Sequence, residues 1–390
     1  MCQGFMAAGI AAGIKKNGRK DLGLIYSTVP ASVAAVFTQN KVQAAPVLLD
    51  KERVKFGKCQ AIIANSGNAN CCTGEQGMAD AIEMSRLAAS ELKIPEELVC
   101  TASTGVIGQS LPVEKIAAAI PELVRLLSGD GLSEFTRSIM TTDTVPKMIS
   151  RKGKIDGREF GVLGIAKGAG MICPDMATML CFVCSDIAAD PSLLQPMLTA
   201  SVERSFNRIT IDGDTSTNDT VLLLANGMSG VSLEKEASRN KFQETLDEIM
   251  IGLAKMVVKD GEGATKLVEI TVKGAASDED AEKIARTVAN SNLFKTALFG
   301  EDANWGRILA AAGRAGAALE PDSVDIFFGN IQMVKNGRWC GADAEQKATQ
   351  VLKTSEFGIV IDLKLGTGKS ICWTCDFSID YVKINADYRS

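Results

Sequence analysis

The segment 167–180, KGAGMICPDMATML, concentrates residue types that could do chemistry. Small, flexible residues follow Lys167, then Pro174, and Thr178 stands at the start of an apolar run. The chain contains no histidine. That removes the commonest general base, the commonest zinc ligand and every Ser-His-Asp or Cys-His arrangement. Without an imidazole, a threonine hydroxyl can be activated by its own α-amino group once the chain is cut immediately before it. The reference pKa of that amine, ~7.7–8.0, leaves an appreciable neutral fraction near neutral pH. The competing reading is that Thr178 simply opens a buried strand.

Four short clusters of hydroxyl, amide and glycine residues accompany this segment: NSGNAN at 65–70, TASTGVIG at 101–108, TTDT at 141–144 and DGDTSTNDT at 212–220. Hydroxyls and glycine N–H groups are what an oxyanion hole needs where histidine is absent. Any one of them is equally a turn or a helix cap. Two nucleotide-like signals fail on spacing. LGTGKS at 365–370 has Leu363 where a phosphate loop needs its first glycine, is followed by a strand-like run, and reads as a hairpin turn; the glycines of GVLGIAKGAG do not fit the dinucleotide pattern. The pairs Cys181/Cys184 and Cys372/Cys375 have zinc-site spacing. Their long separation and strand-like surroundings favour buried, reduced thiols, as do the odd total of eleven cysteines and their scatter.

The elements that must position these residues are those of a folded protein with two or three domains. The chain has 390 residues, 46% apolar and 23% charged, with 42 Lys and Arg against 47 Asp and Glu for a net charge of −5. No basic face for nucleic acid is indicated, and no apolar run approaches the ~20 residues that span a bilayer. The cations Lys15, Lys16, Arg19 and Lys20 follow the apolar stretch 5–14, the reverse of a secretory signal, so a soluble, cytoplasmic protein is expected.

Periodicity predicts strands at 22–25, 33–37, 47–49, 61–64, 160–165, 178–183, 221–225, 268–273, 325–328, 357–363 and 382–384. It predicts helices over 79–92, from after Ser110 to Leu127 despite Pro121, after Pro191, and over 236–258 and 278–289, with a Gly-containing turn before 308–318. Strand and helix alternate without a regular βαβ repeat, which implies a layered α/β or α+β architecture with two or more subdomains.

KGAGMICPDMATML closely resembles the cleavage and nucleophile motif of the ornithine acetyltransferase, or ArgJ, family, also called glutamate N-acetyltransferase. The resemblance runs through GFMAAGIAAGIKKNGRKDLGLI at 4–25, AAVFTQNKVQAAPV at 34–47, ANSGNANCCTG at 64–74, STGVIG at 103–108, TTDT, DGDTSTNDT, DGEGATK at 260–266, GEDANWGRI at 300–308 and the final YVKINADYRS. It departs at Asp175, where the family usually has Asn, and at Ala169, where Ser is common.

The resemblance implies self-cleavage between Ala177 and Thr178, giving an α chain of 177 residues and a β chain of 213. Thr178 would then be the nucleophile of a ping-pong transfer of acetyl from N-acetylornithine to glutamate. It implies Thr104 and Gly105 as oxyanion-hole residues and Thr144, Lys167, Thr178, Glu262, Asn385 and Ser390 as substrate-binding residues. It also implies an α/β (α+β) fold, a layered αββα-like sandwich resembling N-terminal-nucleophile hydrolases, with a smaller C-terminal α/β domain. On this reading 1–177 and 178–270 build the main domain and 271–390 the C-terminal one. No cofactor or metal is expected, acetyl-CoA being a possible co-substrate, and the assembly would be an α2β2 heterotetramer. The rival functions are a Thr-nucleophile aminopeptidase or amidohydrolase, and an uncleaved amino-acid-binding protein.

Overall fold

The computed structural model describes residues 2–173 and 179–387. In chain order it runs β1 (Phe5–Ile10), β2 (Leu22–Phe37), α1 (Ala45–Arg53), β3 (Lys58–Asn68), α2 (Gly74–Leu92), β4 (Val99–Val106), α3 (Val113–Arg125), α4 (Leu132–Ile139), β5 (Lys147–Ile155), β6 (Arg158–Lys167), β7 (Leu180–Ser185) and α5 (Pro191–Arg204). There follow β8 (Ile209–Thr210), β9 (Thr220–Ala225), α6 (Glu236–Lys259), β10 (Leu267–Ala275), α7 (Asp278–Ala289), α8 (Asn292–Phe299), α9 (Trp305–Gly313), β11 (Asp325–Phe328), β12 (Ile331–Lys335), β13 (Arg338–Trp339), α10 (Ala342–Leu352), β14 (Glu356–Asp362), β15 (Gly368–Cys375) and α11 (Ile379–Ala386).

The chain divides into two compact units. The first holds residues 1–171, 175–207 and 214–257 and is built on one sheet of order β4-β3-β2-β9-β7-β6-β5, with β1 added to β2. Because side chains alternate across a strand, this sheet has two apolar faces. Ile25, Ile62 and Ala64 share a core with Leu163, Ile165, Phe182, Leu222 and Leu224. On the opposite faces of β2 and β3, Leu22, Leu24, Ala61 and Ile63 lie against Met84 and Ala88 of α2 and Ile116, Ile120 and Leu123 of α3. The outward positions of β6 and β7 meet α6 instead: a Cβ on Gly164 would strike Ile249 and Leu253, and Cys181 Sγ is 4.0 Å from Met250 Sδ. Helices thus cover the outward positions of this sheet at both β2–β3 and β6–β7, giving a layered, mixed α/β unit. Helix α4 enters the inner core, where Phe135 meets Phe182 edge-on at 5.5 Å.

The second unit holds 172–174, 208–213 and 258–390. Its mixed sheet has the order β13-β12-β11-β14-β10-β15-β8, and β10 runs parallel to β14 and antiparallel to β15. Val268, Ile270 and Val272 of β10 face Ala281, Ile284 and Val288 of α7 in its core. Ser277 caps α7 by accepting from the Asp280 amide at 3.1 Å, and Asp278, Glu279 and Asp280 fill the first turn, where the helix dipole favours negative charge. Strand β10 crosses position 271, which the sequence reading placed at a domain edge; its pairing with both β14 and β15 keeps it inside this unit.

Four expectations of local structure are corrected. Residues 47–49 belong to α1, with Pro46 in its first turn, and 382–384 belong to α11. Three residues are too few to separate a period of 2 from one of 3.6. LGTGKS is not a hairpin, since β14 and β15 lie on opposite sides of β10 and this segment links them across it. The two strands expected at 22–25 and 33–37 are one strand, β2, whose pairing with β3 shifts between Tyr26 and Ala31. Proline 121 sits within α3, as anticipated. All four CxxC thiols are buried. Strand alternation turns Cys184 to the inner core and Cys181 to α6, on opposite faces of β7.

Candidate active site

In the first unit the hydroxyl and amide clusters come together at the ends of β3, β4 and β6. Strand β4 runs parallel to β3, with Ser66 opposite Thr104 and Gly67 opposite Gly105, and the register breaks at Asn68. Gly105 has φ +136°, and a Cβ there would lie 2.4 Å from the Gly67 carbonyl carbon and 2.5 Å from the Asn68 nitrogen. Only glycine lets the two backbones approach so closely. Ser103 Oγ donates to Asn65 Oδ1 at 2.6 Å. Asn218 Nδ2 donates to the carbonyls of Ala69 and Ser103 at 2.7 and 2.8 Å. NSGNAN, TASTGVIG and DGDTSTNDT are thus parts of one buried polar network.

Lys167, the last residue of β6, is 5% exposed rather than a solvated loop cation. Its Nζ donates to Thr104 Oγ1 at 3.2 Å and to Thr141 Oγ1 at 2.9 Å, and lies 4.0 Å from Asp143 Oδ2. In the β6–β7 register Lys167 pairs with Leu180, two residues beyond Thr178. Asp143 holds this corner: its Oδ1 accepts from Lys147 Nζ and the Gly168 amide, each at 2.7 Å, and its Oδ2 from the Thr141 amide at 2.9 Å. Burial alone would raise the Asp143 carboxyl, but the ammonium groups of Lys167 and Lys147 and the Thr141 amide hold it below the usual carboxylate range. Thr144, expected to bind substrate, lies exposed one residue beyond.

Asp143, Lys147 and Asp219 escaped the sequence reading as individual residues, and Lys15 entered it only as a cation following the apolar stretch 5–14. Burial, Arg19 and Lys167 push the Lys15 ammonium down to about 8 despite Asp21, while its Nζ donates to the Met140 and Lys20 carbonyls at 2.6 and 2.9 Å. Lys147 is fully buried, and its place four residues after Asp143 was the available signal. Asp219 Oδ1 accepts from the Met179 amide at 2.8 Å, and burial pushes its carboxyl well above the usual range, opposed by that amide and by Lys167.

In the second unit, Glu262 is 8% exposed, not a surface carboxylate, and Asn385 Nδ2 donates to its Oε2 at 2.7 Å. Gly263, at φ +67°, permits this turn to approach α11, since a Cβ would meet Ser378 Oγ and the Tyr381 nitrogen, each at 2.6 Å. Ser378 caps α11 through the Tyr381 amide, and Tyr381 Oη donates to Asp212 Oδ2 at 3.2 Å. A carboxylate paired with a carboxamide is a suitable receiver for the ammonium of an amino acid. Ala177, Thr178 and Ser390 lie outside the described residues, as does Asp175. Among the described residues no three Cys, Asp or Glu side chains gather as metal ligands, and no helix is long and apolar enough to cross a membrane.

Fold and site define a mixed α/β protein of two sheets whose main unit carries a histidine-free polar site, with a buried lysine set against a threonine hydroxyl. The ArgJ family model matches residues 6–390. The chain is 53% identical over 390 residues to the arginine biosynthesis bifunctional protein ArgJ of Geobacter sulfurreducens, covering 100% of this chain and 99% of that one. It is 52% identical to the protein of the same name from Syntrophotalea carbinolica, covering 99% of each. A crystal structure of the arginine biosynthesis bifunctional protein argJ from Bacillus halodurans superposes with a TM-score of 0.51 at 42% identity, covering 53% of this chain and 97% of that one. The chain belongs to the ArgJ family.

Proposed function

We propose that this chain is an acyltransferase of arginine biosynthesis that moves the acetyl group of N2-acetylornithine to the amine of glutamate. The observation that carries the reading is Lys167: in register with Leu180, it reaches the hydroxyl of Thr104 at 3.2 Å, beside Gly105. An oxyanion-hole hydroxyl on β4 and a cation for a substrate carboxylate on β6 thus lie within hydrogen-bond distance of each other, and β6 pairs with the strand that begins two residues after position 178.

The chain cuts itself between Ala177 and Thr178. The new α-amine of Thr178 takes the hydroxyl proton as Oγ attacks the acetyl carbonyl, and the developing oxyanion is met by Thr104 Oγ1–H and the Gly105 N–H. The C–N bond breaks, the proton passes to the leaving ornithine amine, and the acetyl group remains as a Thr178 ester. Glutamate's amine attacks that ester, and Oγ leaves with a proton. Thr144, Lys167, Glu262, Asn385 and Ser390 hold the two amino-acid substrates. The cycle runs without a cofactor, in the cytoplasm, in an α2β2 assembly. The cut is supported by the Bacillus halodurans chain, which is matched over 97% of its own length yet covers 53% of this chain. A cut at 177 would leave a fragment of similar share, 213 of 390 residues.

A denaturing gel tests the cut: 41.3 kDa divided 177:213 gives fragments of roughly 19 and 23 kDa, the larger starting at Thr178. One full-length band from fully active protein would overturn the mechanism. Thr178→Ala should stay uncut and inactive. Acetate release that ignores added glutamate would favour a hydrolase, and binding without covalent acetylation an amino-acid-binding protein. Glutamate acetylation with acetyl-CoA as sole donor decides whether that second donor is used.

A further inference from the structure

The stretch 210–220, which contains the whole DGDTSTNDT motif, holds the chain on both sides of the expected cut. Before the cut, the Ile172 amide donates to Asp212 Oδ1 at 2.8 Å, and the Ile172 carbonyl accepts from the Ile211 amide at 2.8 Å and Thr210 Oγ1 at 3.1 Å. After it, the Met179 amide donates to Asp219 Oδ1 at 2.8 Å, and the Met179 carbonyl accepts from the Thr220 amide at 3.1 Å. The nitrogen held by Asp219 is the one bonded to the carbonyl carbon of Thr178. Only a C–N bond of ~1.33 Å and a Cα–C bond of ~1.52 Å separate it from the nucleophile's Cα, and that peptide group is planar.

Asp219 is 1% exposed, and its Oδ2 has no hydrogen-bond partner among the described residues. An ionised carboxylate left this way would carry a desolvation penalty that the neutral carboxyl avoids. Protonated, the group still accepts through one oxygen while shedding its charge. A surface turn would need neither this burial nor this carboxyl.

We propose that Asp219 is a positioning residue for the acyl transfer, its Oδ1 holding the Met179 amide and through it the peptide plane that carries Thr178. The inference rests on Thr178 being the nucleophile. Asp219→Asn keeps a neutral acceptor for the Met179 amide, whereas Asp219→Ala removes it.

Both variants are made in the full chain and followed by denaturing gel, melting, kcat and KM for acetyl transfer, and pH–rate profile. D219N is cut, retains kcat within about threefold of the parent and has a superimposable pH–rate profile, because burial disfavours the charged form of Asp219 and Asn carries no charge. D219A, if folded, loses about ten- to a hundredfold in kcat with KM within about twofold, the mark of a displaced reacting group. The inference is overturned by D219A matching the parent, by D219N being as slow as D219A, by a divergent D219N profile, or by D219N failing to fold. If D219A does not fold, D219N and its profile decide alone. A parent that is never cut, or stays active as Thr178→Ala, overturns the nucleophile reading instead.

Discussion

Lys167 Nζ lies 3.2 Å from Thr104 Oγ1 although 63 residues separate them in the chain. The contact orients the hydroxyl, because an ammonium only donates and so leaves the Thr104 O–H free to point at a developing oxyanion. Thr104→Ala should lower kcat about 10²–10³-fold, equivalent to ~2.7–4 kcal/mol, with a much smaller change in KM. An unaltered kcat would remove Thr104 from the oxyanion hole.

Gly105→Ala should damage stability as well as rate. The added Cβ meets backbone atoms at 2.4 and 2.5 Å, which cannot swing aside as a side chain can, and φ +136° is itself hostile to an L side chain. Backbone strain contributes about 1–3 kcal/mol before the collision is counted. The expected result is a lower melting temperature together with lost activity; a variant that melts with the parent would show that β3 and β4 separate freely here.

Asp143 and Lys147 are both fully buried and 2.7 Å apart. Asp143→Asn leaves Lys147 and Lys167 without their carboxylate and should cost about 3–5 kcal/mol at neutral pH. The folded carboxyl titrates below its ordinary 3.8. Its stabilisation is therefore present above that value and is lost as pH falls below it. Denaturant titrations should show the deficit of D143N narrowing below pH ~4, whereas a deficit independent of pH would remove the charge from the explanation.

Asp50 gives the opposite slope. It accepts from the Thr101 amide at 2.9 Å, tying α1 to β4, and burial pushes it up to about 8 against that amide and Arg53. Unfolded, the group titrates near 3.8, so the folded chain keeps a proton that the unfolded chain gives up, and stability falls as pH rises from about 4 to about 8. Asp50→Asn retains an acceptor for Thr101 and should flatten the melting temperature between pH 5 and pH 8, ending above the parent at pH 8. Parallel curves for the two proteins would count against a protonated Asp50.

Long periodic segments were legible in the chain because their pattern repeats over several turns: α6, α7 and the inner strands β6, β7 and β9 lie within a few residues of their expected places. The short segments 47–49 and 382–384 were not, because three residues carry no period and tertiary packing made both helical. Gly105 and Lys167 stood out through motif resemblance, whereas Asp219 was only one member of a polar run. Its burial depends on β9 lying between β2 and β7, and that is a property of the sheet.

The sequence by itself determined the chemistry available: no histidine, a threonine at 178 inside a family motif, and a lysine eleven positions before it. It also determined membership of the ArgJ family, since ordered motifs need no coordinates. The tertiary structure decided which charges are paired and which are buried. It took Lys167 and Glu262 out of solvent, gave Asp143 two ammonium partners and set Asp219 on the Met179 amide. Charge state and hydrogen-bond direction depend on distance and dielectric, and residues 26 to 123 positions apart become neighbours only when the strands and turns that carry them pair.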